Sequence, residues 1–178
     1  MLKSAIIDTS VLICLNHLNL IKYLNLIYNK VYIPRAVEHE FFQNITEEEQ
    51  TKRYVFLENF YIENSIWFKK CQAFRSELIE LYRTDKKLDL GEAEVFAQNQ
   101  ELGNVNIMLL DEKKARTLAE KNDLAKNGVL YILAIFDLKL KNINYFQAVE
   151  KLKNENNTYF SKKIVNMVYS IVKDEIES

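Results

Sequence analysis

Two acids in this chain follow apolar runs: Ile6-Ile7-Asp8 and Met108-Leu109-Leu110-Asp111. Each run reads as a buried strand, so each Asp stands at a strand's carboxyl end. In open α/β sheets that edge is where ligands bind. If the two strands are parallel neighbours, both carboxylates emerge together. Two more acids lie where helices can deliver them to the same edge, Glu40 after a second strand and Glu92 just after Gly91. Carboxylates brought this close repel one another, and some take up protons unless a cation intervenes. Mg²⁺ prefers oxygen ligands and usually keeps several waters. Three or four carboxylates in one place therefore read as a Mg²⁺ or Mn²⁺ site for phosphate chemistry. A plainer reading stands beside this one. The chain has 25 acids, most of them solvated. Glu92 and Glu94 could complement a helix dipole, Glu40 could be a surface residue like Glu38, and Asp111 a helix cap. Asp8 is hardest to dismiss, because an Asp between apolar triplets is costly to bury without a partner.

The elements that must position these acids follow from periodicity. Leu2 to Ile7 is the first strand, and Ser10 reads as the N-cap of a helix over Val11 to Leu15. A second helix is expected over Leu18 to Tyr28, from Leu20, Tyr23, Leu24 and Ile27. Val31-Tyr32-Ile33 is a strand that Pro34 ends, and Pro34 can open the next helix. There Val37 and Phe41 share a face, with Glu40 near it. Ile45 to Asn59 is helical, with Thr46 and Glu49 as a capping box. Phe60-Tyr61-Ile62 is expected to be a third strand, and Lys69 to Arg83 a helix with Phe74, Leu78, Leu81 and Tyr82 on one side. A charged loop leads to Gly91 and a helix ending near Gly103. Asn106 to Leu110 is a strand running into Asp111. Lys113 to Lys121 is a helix, Leu124-Ala125 a weak edge strand, and Gly128 opens a buried helix to about Leu140. Two late helices follow, Tyr145 to Asn154 and Ser161 to Ile176, the last with a stripe of Ile164, Val168, Ile171 and Val172.

Strands alternating with helices imply an α/β fold: a central parallel sheet of four to five short strands flanked by helices. With 178 residues, a single domain over 1–178 is expected, with 141–178 as a helical extension. Three Gly and one Pro argue against a turn-rich all-β fold. A net charge of -1 gives no global basic field, although a local basic patch suffices for nucleic acid. Cys14 and Cys71 share no metal-ligand spacing and read as buried free thiols of a reducing cytoplasm. No signal peptide is expected, and no membrane contact. The longest apolar run, Val129 to Phe136, is far short of the ~20 residues a span needs.

The acids also lie in recognisable surroundings. The run Asp8-Thr9-Ser10-Val11-Leu12-Ile13 resembles the opening motif of PIN-domain nucleases. Ile33-Pro34-Arg35-Ala36-Val37-Glu38-His39-Glu40 resembles that family's second motif, which places the acid role on Glu40 rather than Glu38. Leu88-Asp89-Leu90-Gly91-Glu92-Ala93-Glu94 is similar to the signature of a subgroup akin to toxins of toxin–antitoxin pairs. Leu109-Leu110-Asp111-Glu112-Lys113-Lys114-Ala115-Arg116 resembles its last motif. The likeness spans nearly the whole chain, and four motifs in order are more specific than any one. It implies that Asp8, Glu40, Glu92 and Asp111 are catalytic, metal-binding acids, with Glu112 a further acid able to reach the ion. Glu94 should point elsewhere, since two residues on is about 200° around a helix. Two departures stand out: Asp111-Glu112 replaces consecutive Asp residues, and Ala125-Lys126-Asn127-Gly128 keeps only the second Gly of a usual Gly-Thr loop.

The resemblance implies metal-dependent cleavage of single-stranded RNA by an activated water, without a covalent protein intermediate, and the free thiols place the expected location in the cytoplasm. It also implies an antitoxin protein and a homodimer as partners. Thr9, Ser10 and Arg116 are candidate substrate-binding groups, with Arg116 able to pair with a site acid. Lys113 and Lys114 read as a solvated helix turn. His17 and His39 read as bystanders, so neither zinc nor a Ser-His triad is supported. Trp67 and the Tyr residues could stack bases, though packing is their commoner use. A dehalogenase-type phosphatase would want an Asp where Ser10 stands, and a receiver domain would want an early acidic pair. The remaining alternative is a PIN-like binding or assembly module with a weakened site.

Overall fold

The computed structural model describes residues 3–43, 45–104 and 106–178. In chain order they form β1 (Ser4–Ile7), α1 (Thr9–His17), a 3₁₀ helix (Ile21–Leu26), β2 (Lys30–Pro34), α2 (Arg35–Phe41), α3 (Glu47–Asn64) and β3 (Phe68–Cys71). There follow α4 (Ser76–Thr84), α5 (Leu90–Glu101), β4 (Ile107–Leu109), α6 (Lys113–Lys121), β5 (Lys126–Asn127), α7 (Val129–Leu138), α8 (Tyr145–Glu155) and α9 (Lys162–Glu177). The strands pair in the order β3-β2-β1-β4-β5. Every pairing is parallel, as the alternation of strands and helices predicts.

Parallel sheets are covered on both faces, and their strands are apolar throughout. β1 obeys this: Ala5, Ile6 and Ile7 are fully buried. The core continues through Val31 and Ile33 of β2, Met108 and Leu109 of β4, and the helix residues Leu12, Leu15, Val37, Phe96, Ile132 and Phe136. The late helices join it as well. Tyr145, Leu152 and Val172 are fully buried, and the Tyr145 hydroxyl donates to the Val165 carbonyl at 2.9 Å. Among the described residues no helix is long and apolar enough to cross a membrane. Both cysteines are free thiols; Cys14 is buried and Cys71 half-buried.

Several elements differ from expectation. Leu2, the expected start of β1, lies outside the described residues. Phe60-Tyr61-Ile62 is not a strand but the last turns of α3, because Leu57, Phe60 and Tyr61 recur at helical spacing and are all buried. The third strand comes later, Phe68–Cys71, overlapping the start of the stretch expected to be helical, and its Phe68 pairs with Val31. Phe74 then precedes α4 and is 92% exposed, while Tyr82 packs on Phe96 with ring centroids 5.2 Å apart. The expected helix over 18–28 is reduced to the short 3₁₀ turn. The edge strand is Lys126–Asn127, two residues beyond Leu124-Ala125. On α9 the buried residues are Val165 and Val172, and Ile164 and Ile171 are about half exposed. The cap of α1 is Asp8, not Ser10. Asp8 is extended and its carbonyl already accepts the Leu12 N–H at 3.0 Å.

Candidate active site

The register of β1 against β4 places the first two acids at the same edge of the sheet. Ile7 lies opposite Leu109, and the Asp8 N–H donates to the Leu109 carbonyl at 3.1 Å. Asp8 therefore leaves the sheet beside Leu110, one residue before Asp111. From β1 the chain runs outward through β2 and β3, then returns to β4 on the other side of β1. The β1–β4 crevice is thus the point where strand order reverses, which is where doubly wound sheets bind ligands.

Each acid is held by a donor. The Ser10 hydroxyl donates to Asp8 Oδ2 at 2.7 Å. Glu40 Oε2 accepts from the Thr9 hydroxyl at 2.6 Å, and Oε1 from the Gly91 N–H at 2.9 Å. This ties α2 to the start of both α1 and α5. Glu92 forms a reciprocal capping box with Asp89: its N–H donates to Asp89 Oδ1 at 2.7 Å, and its Oε2 accepts from the Asp89 N–H at 3.3 Å. Asp111 Oδ1 accepts from the Val129 N–H at the start of α7, at 3.0 Å. Carboxylates at helix N-termini are favoured by the dipole and the free N–H groups.

These bonds do not offset the burial of the acids. Burial pushes Asp8 up to about 7, and repulsion from Asp89 and Glu40 adds to it. Burial, then repulsion from Asp89, Asp8 and Glu112, pushes Glu92 up to about 8. Burial pushes Asp111 up to about 6, against the opposing pull of the Val129 N–H and the Arg116 charge. Glu92 Oε1 and Asp111 Oδ2 are buried without a hydrogen-bond partner. Buried polar atoms are usually paired, so each orphan invites a ligand.

Among the described residues no three His, Cys, Asp or Glu side chains stand close enough to form a ready metal cage. The donors themselves suit a hard cation: all are carboxylate oxygens, two are unpartnered, and three of the acids hold protons too tightly for their type. A model of the PIN domain matches residues 4–174, a span that includes α8 and most of α9. The chain belongs to the PIN-domain family. No curated protein matched it. PIN domains are in general nucleases and typically use divalent metals.

In this PIN domain Glu94 turns away from the crevice, as its helical angle predicts. Its Oε2 accepts from the Ala36 N–H at 2.5 Å and its Oε1 from the Ala73 N–H at 3.4 Å. Thr9 and Ser10 spend their hydroxyls on Glu40 and Asp8. Arg116 donates to the Leu110 carbonyl at 2.7 Å, and its charge partly opposes the upward push that burial gives Asp111. Glu112 caps α6 and is exposed at the rim. In the altered loop, the Asn127 carbonyl accepts the Leu110 N–H at 2.8 Å. The retained Gly128 is the position where a Cβ would lie 2.5 Å from Asp111 Oδ1. His17 pairs with Glu155, His39 faces Gln43, and Trp67 packs on Phe60 and Phe68. Asp89 is the acid to which the motifs alone assign no role. Its spacing to Glu92 is that of a capping box, and it is the strongest repulsive neighbour of both Asp8 and Glu92.

Proposed function

We propose that the chain is a divalent-metal-dependent endoribonuclease that cleaves single-stranded RNA, and that it acts as the toxin of a toxin–antitoxin pair. What supports this reading is that Asp8 and Asp111 leave the neighbouring strands β1 and β4 at the same sheet edge, that Glu40 bonds Thr9 and Gly91 beside Asp8 and Glu92, and that Glu92 Oε1 and Asp111 Oδ2 are buried without partners. Asp8, Glu40, Glu92 and Asp111 would hold Mg²⁺ or Mn²⁺, with Glu112 at the rim. Such a cation supplies a nucleophilic water at neutral pH and offsets charge on the phosphate. The protein's own part is to fix the acids. Ser10 and Thr9 orient Asp8 and Glu40, the capping box orients Glu92, and the start of α7 orients Asp111.

Purified full-length protein should cleave unstructured RNAs in Mn²⁺ or Mg²⁺, and Asp8→Asn and Asp111→Asn should abolish it. Wild type that cleaves no better than the double variant would remove the enzyme reading and leave a binding or assembly module. Expression of wild type should slow growth where Asp8→Asn does not. Equal growth would argue against a toxin and leave a housekeeping nuclease. A small reading frame beside this one, whose product relieves the growth defect, would supply the antitoxin.

A further inference from the structure

Asp8 and Asp111 stand at the β1–β4 edge, Glu40 bonds the starts of α1 and α5, Asp89 and Glu92 cap α5, and Glu112 caps α6, so this end of the sheet is acidic. An RNA strand is a polyanion, so a site this acidic needs cations on its approaches as well as at its centre. Lys113 and Lys114 are expected from sequence to be a solvated helix turn, and the structure gives them a more particular setting. They open α6 immediately after Glu112. Cations at a helix N-terminus oppose the dipole. The first turns of α3 and α5 carry acids, whereas that of α6 carries none. The Lys114 ammonium donates to the backbone carbonyl of Lys87, in the loop before α5. Lys87 itself takes a φ of 56°, in the left-handed region that favours glycine. The next residue, Leu88, is buried, and its N–H donates to the Tyr82 carbonyl at 3.1 Å. The loop is thus fixed from two sides.

This arrangement gathers four lysines. Lys86, Lys87, Lys113 and Lys114 are all exposed. Among the described residues none of them forms an ion pair. Lys87 precedes by two residues Asp89, whose carboxylate accepts the Glu92 N–H, and Lys113 directly follows Glu112, the cap of α6. The Lys114–Lys87 contact therefore gathers the two lysine pairs beside the acids at this edge. Holding four like charges together opposes folding, and a polyanion relieves that repulsion. We infer that Lys86, Lys87 and Lys113, gathered by Lys114, grip the backbone phosphates of single-stranded RNA beside the cleaved bond. This rests on the nuclease reading above and names the groups that present its substrate.

The test uses the full-length chain carrying Asp8→Asn, so that RNA stays intact. Binding of a labelled 20-nucleotide oligouridylate is measured by anisotropy over a series of KCl concentrations in Mg²⁺. Adding K86Q, K87Q and K113Q should lower the slope of log affinity against log salt by about 2, close to 0.7 for each phosphate that is no longer neutralised. The corresponding Arg triple should keep the slope, and K162Q with K163Q at the start of α9 should leave it unchanged. An unchanged slope in the Gln triple overturns the grip, whether or not wild type cleaves RNA. A slope that falls equally in the Arg triple also overturns it, since charge is then not the cause. A parent protein that binds no oligouridylate at all overturns it too. A lysine-dependent slope in a protein whose wild type shows no metal-dependent cleavage keeps the grip and removes the nuclease reading.

Discussion

Glycine is scarce here, 3 in 178 residues, and two of them stand against site acids. Gly91 occupies the first turn of α5, where Ala would be favoured by roughly 0.5–1 kcal/mol. A Cβ there would collide with the Glu40 carboxylate. The far end of a Glu side chain can swing aside at little cost in stability, but it would then leave Thr9 and the Gly91 N–H. Gly91→Ala should therefore melt within a few degrees of wild type, while RNA cleavage falls on the order of 10–100-fold, the usual cost of disturbing a ligand's support. Thr9→Val removes a support of the same carboxylate. It should raise the Mn²⁺ concentration needed for half-maximal cleavage by a similar factor. A metal requirement equal to wild type would show that Thr9 does not orient Glu40. These supports explain which parts of the site were legible. Asp8 and Asp111 announce themselves as acids ending apolar strands, and Glu94 declares its direction by its angle from Glu92. Asp89 does not, because its effect on Asp8 depends on where a loop folds back in space.

At the scale of elements, Glu94 is the joint. From the middle of α5 its buried carboxylate takes N–H groups from the first turn of α2 and from Ala73, between β3 and α4. α2 carries Glu40 and α5 carries Glu92, so this joint sets the spacing of two site acids. Glu94→Ala should cost roughly 2–4 kcal/mol, since it removes the acceptor from buried N–H groups. A melting temperature lower by on the order of 5–15 °C would follow in a chain of this size. Glu94→Gln keeps one acceptor and should cost less; equal melting of all three proteins would show that the joint is not structural. The same region shows why sequence legibility fails locally. α6 is read to the residue, because its small and charged residues leave one helical pattern. Phe60-Tyr61-Ile62 and Phe68–Cys71 are both short and partly aromatic, and periodicity cannot rank them as strands. What decides is tertiary: Leu57, Phe60 and Tyr61 bury one face of α3, and it is Phe68 that pairs with Val31. Boundaries near Asp8 shift for a related reason, since Asp8 caps the helix with its backbone and leaves Ser10 free to bind its side chain.

For the molecule as a whole, the buried acids make stability depend on protons and, on the proposed reading, on metal as well. Asp8, Glu92 and Asp111 hold protons up to about 7, 8 and 6 in the folded chain, well above the ordinary values of 3.8, 4.5 and 3.8. The folded state thus binds more protons than the unfolded state between about pH 4 and 8. A group raised in this way contributes stability that is full below its unfolded value and is lost as pH rises through its folded value. Metal-free protein should therefore melt at lower temperature at each step from pH 5.5 to 8.5, the steepest fall lying between about 6 and 8. On the proposed reading a divalent cation would take the place of those protons, so its stabilising effect should grow over the same interval, as binding to the folded state alone requires. Thermal melts with Mn²⁺ or Mg²⁺ against a chelator, at matched ionic strength, measure both effects. The Mn²⁺-induced rise should be small at pH 5.5 and largest near 8.5. Asp8→Asn removes one of the raised acids and should flatten the metal-free decline, at the same time weakening the rise. A metal-free melting temperature that climbs from pH 6 to 8, or a Mn²⁺ effect independent of pH, would show that these carboxylates do not share protons with a cation site.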